Sequence, residues 1–177
     1  MIAETIKQID GLVSERMAKG LSCGGLRFFG LAEPVVRRMN DDVVFPAVVG
    51  LDGEGEDVWL DDDYSVGIYH RLLSKQYLPA KKEQYGDDTV QRSVAEMQLV
   101  CWAFRSAVKV SADVLERIVY SGFPSGVSAV SSNFDRRSVF SGEFSGIEFN
   151  VPNSVMLFSM KYKFAYPAMS RNCILSE

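Results

Sequence analysis

Two segments of the chain show the helical spacing of apolar residues. Near the N-terminus, apolar side chains recur every three or four residues, which predicts an amphipathic helix over about residues 1–19 that stops at Gly20. This apolar stripe consists of Ile2, Ile6, Ile9, Val13 and Met17. A second helix is predicted after Ser111, a good N-cap, with Asp113 in the first turn and Gly122 at its end. Its predicted apolar face consists of Val114, Leu115, Ile118 and Val119.

Strand patterns account for most of the remaining apolar residues. Residues 43–49 read as a buried strand that pairs with residues 58–60 in a hairpin, across the polar turn 52–57. Residues 64–78 then form a long candidate strand, whereas residues 34–40 are ambiguous. Shorter strands are predicted at residues 26–31, 127–130 and 138–144.

Residues 155–166 form the last predicted strand, and their alternation assigns its two faces. One face is apolar and the other is more polar, which predicts one covered side and one that faces water. The apolar face consists of Met156, Phe158, Met160, Tyr162, Phe164 and Tyr166. The opposite face consists of Leu157, Ser159, Lys161, Lys163 and Ala165. Residues 94–104 fit either a helix or a strand covered on both faces, and their aromatic and β-branched content favours the strand.

These elements together predict an α+β fold. We expect a central antiparallel β-sheet with the N-terminal amphipathic helix and the second helix packed on it. The 177 residues suit a single domain, and residues 168–177 have no pattern, which predicts a flexible C-terminal tail.

Composition and charge narrow the classes of function. The net charge of −4 and the scattered basic pairs give no reason to expect nucleic-acid binding. No segment has the pattern of a signal peptide or the length of a membrane span.

The cysteines are Cys23, Cys101 and Cys173, an odd number without CxxC spacing, which favours a reducing compartment over a disulfide framework. Cys101 is expected to be a small buried apolar residue.

An acidic segment is the first candidate for chemistry. Residues 52–63 carry seven carboxylates, which could bind a divalent cation. A calcium loop that began at Asp52 would need Gly at its sixth position and Glu at its twelfth, where this chain has Asp57 and Asp63. The spacing therefore favours a solvated turn without a metal ion, and no cofactor is expected.

His70 is the only histidine, so a Ser-His-Asp or Cys-His site would have to include it. It lies in the middle of a predicted strand, whereas general bases usually lie at strand ends or in loops. We therefore predict a structural role for His70 and no catalytic residues. Glu143 and Glu148, or the carboxylates of residues 61–63, could pair for acid–base chemistry, but nothing in the sequence indicates that they converge.

The order of elements resembles that of the tail-terminator and neck proteins of tailed bacteriophages. Residues 1–17, 43–78, 94–120 and 133–166 carry the resemblance, and residues 62–69 (DDYSVGIY) are similar to a segment of phage tail-joining proteins. The resemblance implies a virion protein without catalytic residues, assembled in the bacterial cytoplasm as a ring, usually a hexamer, at the end of the tail tube or at the head–tail junction.

Such a subunit would contact neighbouring subunits, the tail tube and neck proteins through its charged loop segments. The candidate interface residues are Asp52, Glu54, Glu56, Asp57, Lys81, Lys82, Arg136 and Arg137. The phenylalanines of residues 134–149 are predicted to be core anchors more often than interface anchors. Two alternatives stay open: a small cytoplasmic protein-binding adaptor, and a metal-dependent hydrolase that uses the carboxylates of residues 52–63.

Overall fold

A six-stranded sheet forms the centre of the fold, and helices pack on one of its faces. The computed structural model describes residues 1–22, 24–40, 43–50, 64–78, 81–82, 89–90, 92–136, 138–139 and 151–167. The elements of this part are α1 (Ile2–Gly20), β1 (Leu26–Asn40), β2 (Val43–Gly50), β3 (Val66–Tyr77), β4 (Lys81–Lys82), β5 (Thr89–Val90), β6 (Arg92–Phe104), α2 (Ala112–Ser121), β7 (Val127–Asn133) and β8 (Val155–Pro167). The predicted α+β class is confirmed. The predicted C-terminal tail lies outside the described residues.

The sheet is mostly antiparallel, as predicted, and contains one parallel pair of strands. Its strands lie in the order β2-β1-β3-β6-β8-β7, and β1 and β3 are parallel while every other neighbouring pair is antiparallel. After β1 the chain turns back and forms β2, which pairs with the side of β1 that faces away from β3. The chain then continues to β3, on the other side of β1. The described partner of β2 is thus β1, and the predicted partner at residues 58–60 lies outside the described residues.

β1 extends well beyond the predicted strand at residues 26–31 and includes the ambiguous residues 34–40. Gly30 has a φ of 62° and lies where the pairing with β3 shifts register, a bulge that glycine accommodates without strain. Pairing with β3 ends at Leu31, so Pro34 lies where β1 pairs with β2 alone. A missing N–H is tolerated in such a position, which explains how the strand continues through a proline.

The main core lies between the helices and the sheet. α1 contributes the predicted residues Ile6, Ile9, Val13 and Met17, all buried. α2 contributes Leu115 and Val119, whereas Val114, expected on the same face, is 37% exposed. The strands contribute alternate residues, among them Ile68, Met97, Leu99, Phe158, Met160 and Tyr162. No helix in the described part is long and apolar enough to span a membrane.

Close contact between α1 and α2 depends on a glycine. A Cβ at Gly122, the C-cap of α2, would lie 2.7 Å from the Cα of Val13, so any larger residue would force the helices apart. The predicted helix end at Gly122 is therefore confirmed, and its reason is packing more than backbone conformation, since Gly122 has a φ of −87°.

The opposite face of the sheet is apolar at one end and polar at the other. Tyr69, Trp102 and Leu157 are buried there in a second cluster with Val48 and Val139. The prediction that this whole side of residues 155–166 faces water was wrong for Leu157 and Ser159, which are 3% and 4% exposed. The second cluster covers this end of β8. Exposure on that face begins at Lys161.

β6 confirms the strand favoured for residues 94–104. Residues 99–103 are all buried, since they lie between neighbours on both sides of the strand and beneath packed residues on both faces. Burial on both faces removes the alternation that normally identifies a strand, which is why the sequence also fitted a helix.

The first two residues of the strand predicted at residues 138–144 form a turn and not a strand. Ser138 and Val139 lie in a turn whose backbone N–H groups both donate to the carbonyl of Asp135, at 3.0 Å each. Residues 140–150 lie outside the described residues.

Gly67 provides a test of the packing on the second face. A Cβ at this position would overlap the indole of Trp102. Gly67→Ala should therefore lower the free energy of unfolding in urea by about 1–3 kcal/mol, the usual cost of overpacking. Gly11 in α1 is the matched control, because nothing lies within 4 Å of a Cβ there. Gly11→Ala should raise the stability by up to about 1 kcal/mol through helix propensity. Equal effects of the two substitutions would contradict the packing described for Trp102.

Candidate functional site

The predicted interface residues do not form one site in the described structure. Lys81 and Lys82 form β4, which pairs with β5. Arg136 is half-buried and donates hydrogen bonds to the carbonyls of Val151 and Pro152, so it ties two segments of its own chain together. The other predicted interface residues lie outside the described residues: Asp52, Glu54, Glu56, Asp57 and Arg137.

His70 forms a buried triad with Asp10 and Tyr162. Its Nε2 lies 2.8 Å from Oδ1 of Asp10 on α1, and its Nδ1 lies 2.7 Å from the hydroxyl of Tyr162 on β8. In the neutral tautomer that satisfies both contacts, Nε2–H donates to the carboxylate and Nδ1 accepts from the tyrosine. The triad therefore connects α1 to two strands of the sheet through polar contacts within an apolar core.

Electrostatics keep the tyrosine of the triad protonated. Burial, and then the negative charge of Asp10, raise the pKa of Tyr162 far above its usual range. Its hydroxyl is consequently a hydrogen-bond donor at any physiological pH. Burial likewise raises the pKa of the Cys101 thiol, which fits the predicted role of Cys101 as a small apolar core residue.

The triad places a carboxylate, an imidazole and a hydroxyl in the order found in hydrolytic sites, but a substrate has no access to them. The side chain of His70 is 0% exposed, and that of Asp10 is 14% exposed. Tyr162 is also buried, against Phe123 and Phe164. A substrate would have to displace α1 to reach the imidazole, so the geometry favours an anchoring role, in line with the structural role predicted for His70.

A polar basin lies on the face of the sheet opposite the helices, beyond the second cluster. This cavity of about 310 Å³ has a floor from β3, β6 and β8, formed by Arg71, Leu73, Gln98, Ser159 and Lys161. Its rim is formed by Ser131 and Asn133 of β7 and by Ser138 of the following turn. Two cationic groups and several neutral donors thus surround one recess.

Metal-ligating side chains do not cluster in the part of the chain that the structure describes. No group of three His, Cys, Asp or Glu side chains there could hold a metal ion. The carboxylates of residues 52–63 lie outside it, so the metal hypothesis for that segment is untested.

β7 forms one edge of the sheet. It pairs with β8, and no described strand pairs with its other side. Five of its seven residues are exposed, and Val130, at a bulge in the pairing with β8, is 53% exposed. On the helix side of this edge, Ser132 donates to a carboxylate oxygen of Glu116 in α2 at 2.7 Å.

Sequence reasoning missed both the triad and the polar basin. The one available signal for the triad was Asp10, a carboxylate directly after Ile9 of the apolar stripe of α1. The basin has no local signal, because its residues come from four strands and one turn whose adjacency only the topology establishes. The comparisons add no relative, since no protein-family model and no curated protein matches this chain.

Removal of the Tyr162 hydroxyl tests the anchoring role of the triad. Tyr162→Phe preserves the ring but leaves a buried imidazole nitrogen without its partner, so we expect a loss of about 1–3 kcal/mol in the free energy of unfolding. Tyr120→Phe is the control, because Tyr120 is 51% exposed; it should change stability by less than about 0.5 kcal/mol. If the two variants unfold at the same urea concentration, the hydrogen bond does not stabilise the fold.

Proposed function

We propose that this chain is a structural virion protein of a tailed phage, which forms a ring at the end of the tail tube or at the head–tail junction. The observation that carries the proposal is the exposed edge strand β7. Its outward N–H and C=O groups have no strand partner among the described residues. A strand of a second protein can add to such an edge through main-chain hydrogen bonds.

The composition of β7 supports strand addition. Natural edge strands are usually protected by lysine, proline or inward-pointing charges, which oppose pairing with other chains. The sequence of β7, VSAVSSN, contains none of these, and most of its side chains are small. Its one protective feature is the bulge between Ala129 and Ser131, which leaves Val130 exposed as an apolar contact.

The topology supports a ring. The two outermost strands of the described sheet are different, β7 at one end and β2 at the other. Contact between β7 of one copy and β2 of the next would be heterologous, and a heterologous contact that closes generates a cyclic assembly. Contact between two β7 strands would instead be isologous and would stop at a dimer, as expected for an adaptor. The hexamer is the ring size that the phage resemblance implies.

A charge at the edge should block assembly. The proposal predicts that the wild-type chain forms hexamers, alone or when mixed with the tail tube and neck proteins of the same genome, as measured by native mass spectrometry. Val130→Lys should remain monomeric under these conditions because a lysine on an edge strand opposes pairing. Val114→Lys is the matched control, since Val114 is also an exposed apolar residue but lies on α2; this variant should assemble like the wild type.

Two results would contradict the proposal. A wild-type chain that stays monomeric with tube and neck proteins at high micromolar concentration would exclude the virion role. A stable dimer that Val130→Lys disrupts would show like-edge pairing and favour the adaptor.

A further inference from the structure

We propose that the polar basin binds a small hydroxylated anion, of the class of sugar phosphates and sugar acids. This inference does not depend on the ring, because the basin lies on the sheet face of a single chain. It rests on the charge of the lining, on the arrangement of its neutral donors and acceptors, and on the size of the cavity.

The described lining residues of the basin include two cationic side chains. Arg71 and Lys161 both line it, and none of the described lining residues is acidic. Glu33 outside the lining accepts from Nε of Arg71 at 3.0 Å and so fixes the direction of the guanidinium group. Lys161 makes no ion pair with any described residue, and its exposed ammonium group can therefore meet the charge of a ligand.

The neutral groups of the basin are held in place before a ligand arrives. Gln98 donates from Nε2 to the carbonyl of Val139 at 3.3 Å, and Asn133 donates from Nδ2 to the hydroxyl of Ser138 at 2.9 Å. Oδ1 of Asn133 in turn accepts the backbone N–H of Asp135 at 2.9 Å. Fixed side chains lose little freedom on binding, which favours affinity for a small ligand. Ser159 is almost wholly buried at the floor.

The size of the cavity and the chemistry of its described lining favour a small polar ligand. The cavity of about 310 Å³ is at the lower end of the range for small-molecule sites and too small for a folded partner. Among its described lining residues there is no aromatic ring of the kind on which nucleobases stack. Leu73 is the one apolar residue of the described lining, so these residues offer little surface for a lipid tail. Hydroxyl, amide and cationic groups instead match a polyol that carries one anionic group.

NMR titration of the full chain tests this proposal with three probes: glucose 6-phosphate, gluconate and glucose. The side-chain amide signals of Gln98 and Asn133 should shift and saturate with an anionic probe. Glucose, which lacks the charge, should bind at least about tenfold more weakly, as expected when a charged hydrogen bond is lost. The tighter of the two anionic probes identifies the anionic group as a phosphate or a carboxylate.

Two lysine variants separate specific binding from general attraction. Lys161→Met should weaken the anionic probe at least about tenfold, and Lys163→Met should change its Kd by less than about twofold. Lys163 is the matched control because it lies two residues along the same strand but pairs with Glu96 at 3.5 Å and does not line the basin. The proposal would be overturned if Lys161→Met and Lys163→Met changed the Kd of the anionic probe equally. It would also be overturned if glucose bound as tightly as the anionic probes, or if the amide signals of Gln98 and Asn133 did not saturate.

Discussion

The pairing of β6 with β8 is the constraint on which the rest of the molecule depends. Thirteen residue pairs, from Arg92 with Pro167 to Phe104 with Val155, match without a register shift. Alternate residues of β8 therefore serve two environments: Phe158 and Tyr162 enter the helix-side core, while Ser159 and Lys161 line the polar basin. A slip of one residue would exchange these sets, placing lysine in the core and phenylalanine in the basin. The large cost of that exchange fixes the register.

The sequence predicted those elements whose burial is one-sided. α1 has one apolar face, and so does the second half of β8, where exposed or partly exposed residues begin to alternate with buried ones at Lys161. The helical period of α1 and the twofold alternation of β8 could therefore be recognised in the sequence. Two-sided burial made β6 ambiguous, and a bulge at Gly30 and a proline obscured β1. The parallel pairing of β1 with β3 and the polar basin arise from the order of strands in space, for which a single sequence carries no local signal.

The buried triad shows how the helix layer is located on the sheet. Apolar packing holds a helix against a sheet by excluding overlap, but dispersion contacts have no strong preferred direction. The hydrogen bonds that join His70 with Asp10 and with Tyr162 have defined lengths and angles, and the groups would be costly to bury unpaired. They therefore select one position of α1 over the sheet. This specificity, more than net stability, is a physical reason for polar groups in an apolar core.

The edge strand and the polar basin share β7, which connects the two proposals physically. Ser131 and Asn133 of β7 line the basin, while Ser132, which lies between them, contacts Glu116 of α2. A strand added to the free side of β7 would thus lie directly beside the rim of the basin. Asn133 of this rim is already held by hydrogen bonds with Ser138 and with the backbone N–H of Asp135, so the rim has a defined arrangement on which an added strand would be placed.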